Sequence, residues 1–251
     1  MPQTASKVRL KRDTLESFDA YVRQAEAGMK ESLRIGPFLW SDTNPDIARQ
    51  VREGQVVAQF WSGRGPVKIP HGLIHDWIGA AWAPDTTVKG TLALIQDYDN
   101  HVNIYRPEVI ASKLISRRGN NFKIYLRLLK KKILAVVLDT DHLVHYRPIS
   151  RTRWTCCSYT TRIGEVENAG HANEEILAPD SGYGFLWRLY SYWRFEQRDG
   201  GVYLECRAIS LTRDVPLGLG WIIEPIIQKL PKESLIQTLE CTRQGLRAPT
   251  K

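Results

Sequence analysis

The sequence predicts an α+β fold: an antiparallel sheet with an amphipathic helix before it and a long apolar helix after it. Three observations carry this. In "NFKIYLRLL" (121–129), Phe122, Ile124, Leu126 and Leu128 alternate with Lys123, Tyr125 and Arg127, the pattern of a strand with one buried face. The stretch "SYWRFEQRDGGVYLECRAISLTRD" (191–214) holds Asp199-Gly200 between two alternating runs, which reads as a hairpin with a two-residue type I′ turn. The tail from 217 to 246 carries Leu219, Ile222, Ile223, Ile226, Ile227 and Leu230, then Leu235, Leu239 and Leu246, the stripe of a packed helix.

The other elements follow in chain order. From Asp13, the residues Phe18, Val22, Ala25, Met29 and Leu33 recur at three- and four-residue steps, so a helix is expected there, with Asp13 and Glu16 as a capping box. "GPF" (36–38) and "NPD" (44–46) break the chain. Strands are expected at 55–61, 67–69 and 73–82, and a helix at 86–101. Pro107 in "YRPEV" returns the chain to extended structure. "VIASKLIS" (109–116) and 121–129 flank the hairpin loop "RRGN", and further strands are expected at 133–146 and 152–167. Residues 168–184 lack periodicity and read as a loop. The tail helix is expected to break near Pro225 and restart at Pro231.

Counting outward from Asp199-Gly200 pairs Phe195 with Leu204, Trp193 with Cys206, Ser191 with Ala208 and Leu189 with Ser210. The opposite face pairs Arg194 with Glu205 and Tyr192 with Arg207. A one-residue slip would turn Trp193 and Phe195 outward, so the register is well specified and the Trp193 face is expected inside.

The 251 residues are 43% hydrophobic and 25% charged, ordinary for a folded chain. The longest apolar run, "ILAVVL" (133–138), is far short of the ~18 residues needed to cross a bilayer. "MPQTASKVRLKR" has no apolar stretch of signal-peptide type, so a cytoplasmic location is expected if Met1 is the native start. The net charge is +8, but the basic residues are scattered apart from 7–12, 117–118 and "KKK" (130–132), so nucleic-acid binding is not expected. Cys156, Cys157, Cys206 and Cys241 show no zinc spacing and read as buried thiols. No metal and no cofactor are expected.

No catalytic constellation emerges. His71 and His75 are four apart across a turn into a strand, a spacing of about 13 Å that does not make a joint metal site. Asp97, Asp99 and His101 cluster where a helix is expected to end, and His142 and His145 fall on opposite faces of a strand. Arg162, Arg188 and Arg194 are expected to be outward-facing salt-bridge partners. There is no P-loop, dinucleotide-binding or nucleophile-elbow motif.

Three stretches give a resemblance: "LALIQDYDNHVNIYRPEVIASKLI" (92–115), the hairpin "WRFEQRDGGVYLEC" (193–206), and "PKESLIQTLECTR" (231–243) in the last helix. Together they resemble the START / birch-allergen-like superfamily (SRPBCC), whose helix-grip fold wraps a curved antiparallel sheet around the C-terminal helix. The resemblance covers about residues 66–247. It implies a START-like domain at 55–251, with 1–54 as an N-terminal helical extension. It also implies a cavity between sheet and helix that takes an apolar or amphipathic small molecule: a lipid, sterol, quinone or polyketide-like compound. Carried over residue by residue, the sheet would offer Trp187, Leu189, Ser191, Trp193, Phe195, Leu204, Cys206, Ala208 and Ser210 to that ligand, and the helix Ile222, Ile226, Leu235 and Leu239. Ser191, Ser210 and Tyr159 would supply orienting polar groups.

Two other readings stay open. An enzyme of cyclase or hydrolase type on the same fold would converge at least two titratable groups in the cavity, with His75 or Asp97 near its mouth. An interaction module would have a filled core and an exposed N-terminal arm. A transient contact of the "KKK" turn and the 168–184 loop with an anionic membrane surface is a further expectation.

Overall fold

The computed structural model describes residues 6–131, 135–214 and 220–247, with side chains described from 229 onward in the last segment. The elements are β1 (Val8–Arg9), α1 (Arg12–Ile35), α2 (Pro45–Arg52), β2 (Val57–Phe60), β3 (Val67–Ile69), β4 (Gly72–Pro84), α3 (Val88–Ile95), α4 (His101–Ile104) and β5 (Val109–Arg118). They continue with β6 (Asn121–Lys131), β7 (Ala135–Pro148), β8 (Arg153–Glu167), β9 (Glu175–Ile176), β10 (Ser181–Gly182), β11 (Arg188–Arg198), β12 (Gly201–Arg213) and α5 (Gly220–Arg247).

The main sheet is antiparallel throughout and runs β2-β4-β12-β11-β8-β7-β6-β5, with β3 beside β4 and β9 beside β8. Strands β5 to β8 are successive hairpin neighbours, and β12 then returns to pair with β4. The curved sheet closes on α5, which lies across its inner face. Gly79 shows how close that approach is: a Cβ there would sit 2.8 Å from Leu239 Cδ1 and 3.2 Å from Leu235 Cδ2.

The hairpin has the register its turn implies. Asp199 and Gly200 both have positive φ, at 54° and 75°, as type I′ requires, and Phe195, Trp193, Ser191 and Leu189 face Leu204, Cys206, Ala208 and Ser210.

The N-terminal segment covers the other face. Phe18, Val22 and Ala25 of α1 pack with Ile74, Ile209, Leu211 and Trp187, and Phe38, Leu39 and Val51 pack with Ala80 and Tyr203. Polar contacts tie it down as well. Glu26 accepts from the hydroxyls of Tyr159 and Tyr192, each at 2.8 Å, and Arg194 donates to Phe38 O at 2.6 Å and Ser32 Oγ at 2.9 Å. Arg194 is thus held by α1 and the loop after it instead of an outward salt bridge.

Several expectations are corrected. Helix α1 begins at Arg12, so Lys11 occupies the cap and Asp13 accepts from Thr14 N inside the first turn. The segment 86–101 is three short helical pieces, Val88–Ile95, Tyr98–Asn100 and His101–Ile104. The 168–184 stretch contributes β9 and β10, the latter paired with β1. Helix α5 is continuous through Pro225 and Pro231. A proline removes one hydrogen bond and crowds the preceding turn, yet the helix runs on past both, and beyond Pro231 its Leu235 and Leu239 pack in the core against the sheet.

Candidate ligand cavity

A cavity of about 470 Å³ lies between the inner face of the sheet and the C-terminal half of α5. Its origin is visible in the register. One cross-sheet row runs Trp154–Phe195–Leu204–Ala81, and its large members, together with Leu239, fill one end as solid core. The next rows read Tyr146–Cys156–Trp193–Cys206–Gly79 and Val144–Ser158–Ser191–Ala208–Trp77. Small side chains at Cys156, Ser158, Ser191, Cys206 and Ala208 leave a floor that the described side chains of α5 do not fill. Ile124, Leu126 and Leu128 of β6 and Val136 and Leu138 of β7 form an apolar side wall.

Polar groups reach this surface in three places. Lys130 donates to Glu108 and, at 2.8 Å, to Ser234 Oγ of α5, and Ser234 in turn donates to Glu108 Oε1 at 3.2 Å. Burial pushes the Lys130 ammonium pKa down, and the Glu108 carboxylate opposes that. A second group joins the Tyr98 and Tyr146 hydroxyls at 2.7 Å, while His101 Nε2 donates to Ile95 O at 3.1 Å. Burial raises both phenols above their ordinary range and lowers His101 to about 4. The third is His142, with Thr140 Oγ1 2.9 Å from Nε2 and Ser158 Oγ 3.3 Å from Nδ1. Burial holds His142 at about 4 too.

No family model and no curated protein sequence matches the chain. Among solved structures, a STAR-related lipid transfer protein from Xanthomonas axonopodis is similar with a TM-score of 0.50 and 14% identity, covering 73% of this chain and 98% of that one. The chain has the START-like, helix-grip fold. The Zhui aromatase/cyclase from Streptomyces sp. R1128 is also similar, with a TM-score of 0.47, 9% identity, and coverage of 69% and 93%.

Within this helix-grip domain the sequence-derived positions separate into four sets. Leu189, Ser191, Trp193, Cys206, Ala208, Ser210 and Leu235 all line the cavity. Phe195, Leu204 and Leu239 do not; each is completely buried in the core cluster beyond its end. Trp187 lies one residue before β11 begins, outside the strand alternation, and packs under α1 on the opposite face. The side chains of Ile222 and Ile226 lie outside the described residues. Tyr159 also points outward, to Glu26 of α1. His75 is completely buried on β4, with Nε2 3.1 Å from Thr212 Oγ1, and does not sit at the cavity surface.

Composition misplaced Lys130. It belongs to "KKK", read as a basic surface turn, yet the alternation Ile124, Leu126, Leu128 extends to it and puts it on the inner face. His142, Val144 and Tyr146 carry the same signal on β7. Glu108 and Ser234 carry none, because their approach to Lys130 depends on how α5 crosses the sheet.

Proposed function

We propose that this chain binds an apolar or amphipathic small molecule, of lipid, sterol, quinone or polyketide-like type, between the sheet and α5. The observation that carries the reading is the cavity of about 470 Å³ with a small-residue floor and aliphatic side wall, within the roughly 300–1,000 Å³ usual for ligand sites with few orienting polar groups. The likeness to a lipid transfer protein agrees with this reading. The seven cavity-lining positions named above are the proposed contacts from the sequence, joined by His142, Ser158 and the Glu108–Lys130 pair.

Membrane contact belongs to the same proposal. Tyr183 and Phe185 line the cavity edge and Phe185 is 40% exposed, a position from which it would meet a bilayer during ligand exchange. Co-sedimentation with liposomes that is insensitive to anionic lipid content would remove the electrostatic part.

A second reading, an enzyme on the same fold, is favoured by the titratable groups that converge in the cavity: Tyr98, His101, Glu108, Lys130, His142 and Tyr146. Each is tied to a protein partner, which suits ligand orientation better than proton transfer.

The binding reading is tested by titrating the full chain with Nile red, an apolar fluorescent reporter, against the variant Ala208→Phe. Ala208 lies on the cavity floor between Ser191 and Trp77, so the added ring occupies the ligand space. Loss of reporter binding with an unchanged or raised unfolding temperature is expected. Equal binding by the variant and the parent chain would contradict the reading.

A further inference from the structure

The hydrogen positions around His142 follow from its neighbours. A backbone carbonyl only accepts, so Thr140 Oγ1, 2.9 Å from Leu126 O, donates its proton there. The same hydroxyl oxygen lies 2.9 Å from His142 Nε2. With its single proton engaged, Thr140 accepts, and Nε2 carries the ring hydrogen. Burial, opposed by nearby Asp141, keeps the ring neutral at pH 7. Nδ1 is therefore a bare lone pair, and Ser158 Oγ at 3.3 Å donates to it. The Ser158 oxygen then has only lone pairs to offer the cavity it lines.

Ser191 is the cross-strand partner of Ser158. Directly opposed residues hold their Cβ atoms about 4.5–5.5 Å apart, so the two hydroxyls flank one point of the floor. Ser191 Oγ has no hydrogen-bond partner among the described residues, and its proton is free to donate. Val144 and Ala208, at the next positions of this row, are apolar. One ligand group satisfies both serines: a hydroxyl, which donates to Ser158 and accepts from Ser191. An ether or ketone oxygen has no proton for Ser158, and a carboxylate adds the cost of taking a charge out of water.

We infer that the ligand is an apolar alcohol or phenol whose hydroxyl sits between Ser158 and Ser191, with Thr140 and His142 acting as positioning residues that set the donor direction. This rests on the cavity being the ligand site and narrows the ligand class. A site built to hydrogen-bond a hydroxyl discriminates against analogues that lack it, because its own polar groups are left unpaired.

The test is displacement of Nile red from the full chain by two isomers of equal size, dodecanol and methyl undecyl ether. The alcohol is expected to displace the reporter at about tenfold lower concentration, the ratio for one buried hydrogen bond. In Ser158→Ala the two isomers should become closely matched, and in Thr140→Val the preference should narrow because His142 is free to change tautomer. Ser191→Ala removes a donor that either oxygen can use, so it should weaken both isomers alike and keep the preference, which separates the loss of one hydroxyl from a folding defect. Equal displacement by both isomers in the parent chain overturns the inference while leaving the cavity reading intact. So does a preference that survives Ser158→Ala. If neither isomer displaces the reporter, the cavity reading falls and this inference with it.

Discussion

Arg207 and Asp76 form a two-pronged ion pair, at 2.8 and 2.6 Å, sealed between the outer face of the sheet and α1. Tyr21 of α1 donates to the same carboxylate at 2.7 Å, and the Arg207 guanidinium lies 4.0 Å from the centroid of the Trp61 ring. Breaking such a pair leaves a buried charge without its counter-ion, which costs about 3–5 kcal/mol, whereas replacing both partners by apolar groups is often neutral. Asp76→Ala is therefore expected to destabilise the chain by that amount in urea unfolding. The double replacement Asp76→Leu with Arg207→Leu should recover most of the loss. A cost for Asp76→Ala below about 1 kcal/mol would show that the pair behaves as if exposed.

Acid should unfold the protein through its buried histidines. Burial lowers His75, His101 and His142 from 6.5 to about 4 each. Their folded values lie below the unfolded ones, so between pH 6.5 and about 4 the unfolded chain binds more protons. Stability is lost as pH falls through that window, at up to roughly 3 kcal/mol per histidine. Urea unfolding across the window should show the loss, and His101→Asn should make it shallower by about one proton. A pH-independent stability from 6.5 to 4 would contradict the burial of these rings.

Glu205 should act in the opposite direction. It lies on the outer face of β12, where burial raises its carboxyl to about 7 although Arg194 and the Ser41 N–H, 3.2 Å away, pull it down. Its folded value exceeds the ordinary 4.5, so the folded chain holds the extra proton and stability falls as pH rises from 4.5 to 7. Glu205→Gln keeps an acceptor for Ser41 and removes the charge. It is expected to stabilise the chain above pH 7 by about 2–3 kcal/mol and to leave it unchanged near pH 4.5. Stabilisation of equal size at both pH values would point to packing instead.

How far the sequence could be read varied with the range of the contacts involved. The register of β11 and β12 was legible because the Asp199-Gly200 turn fixes it locally and all later pairs follow by counting. Leu189, Ser191 and Ala208 were legible on the cavity floor for the same reason. Trp187 was not, since the alternation does not extend past the first residue of β11. Phe195 and Leu204 share the inner face with Ser191, and only the crossing point of α5 decides that they become core. Tyr159 faces outward because it follows the inward Ser158 on β8 and stands opposite Tyr190, a pairing of distant strands that the sequence did not display. Its hydroxyl then meets Glu26, 133 residues earlier. His142 keeps the alternation of Val144 and Tyr146 along β7, but the register shift beside it, which skips Thr161 of β8 and sets its cross-strand neighbour, is not revealed by alternation.

The most direct test of the central claim, that the cavity holds an apolar molecule, is native mass spectrometry of the purified chain followed by organic extraction of whatever dissociates. The account predicts a discrete added mass that extracts as an apolar, hydroxyl-bearing compound and is absent from Ala208→Phe. A clean unliganded mass, unchanged after incubation with a panel of fatty alcohols, fatty acids and sterols, would contradict it.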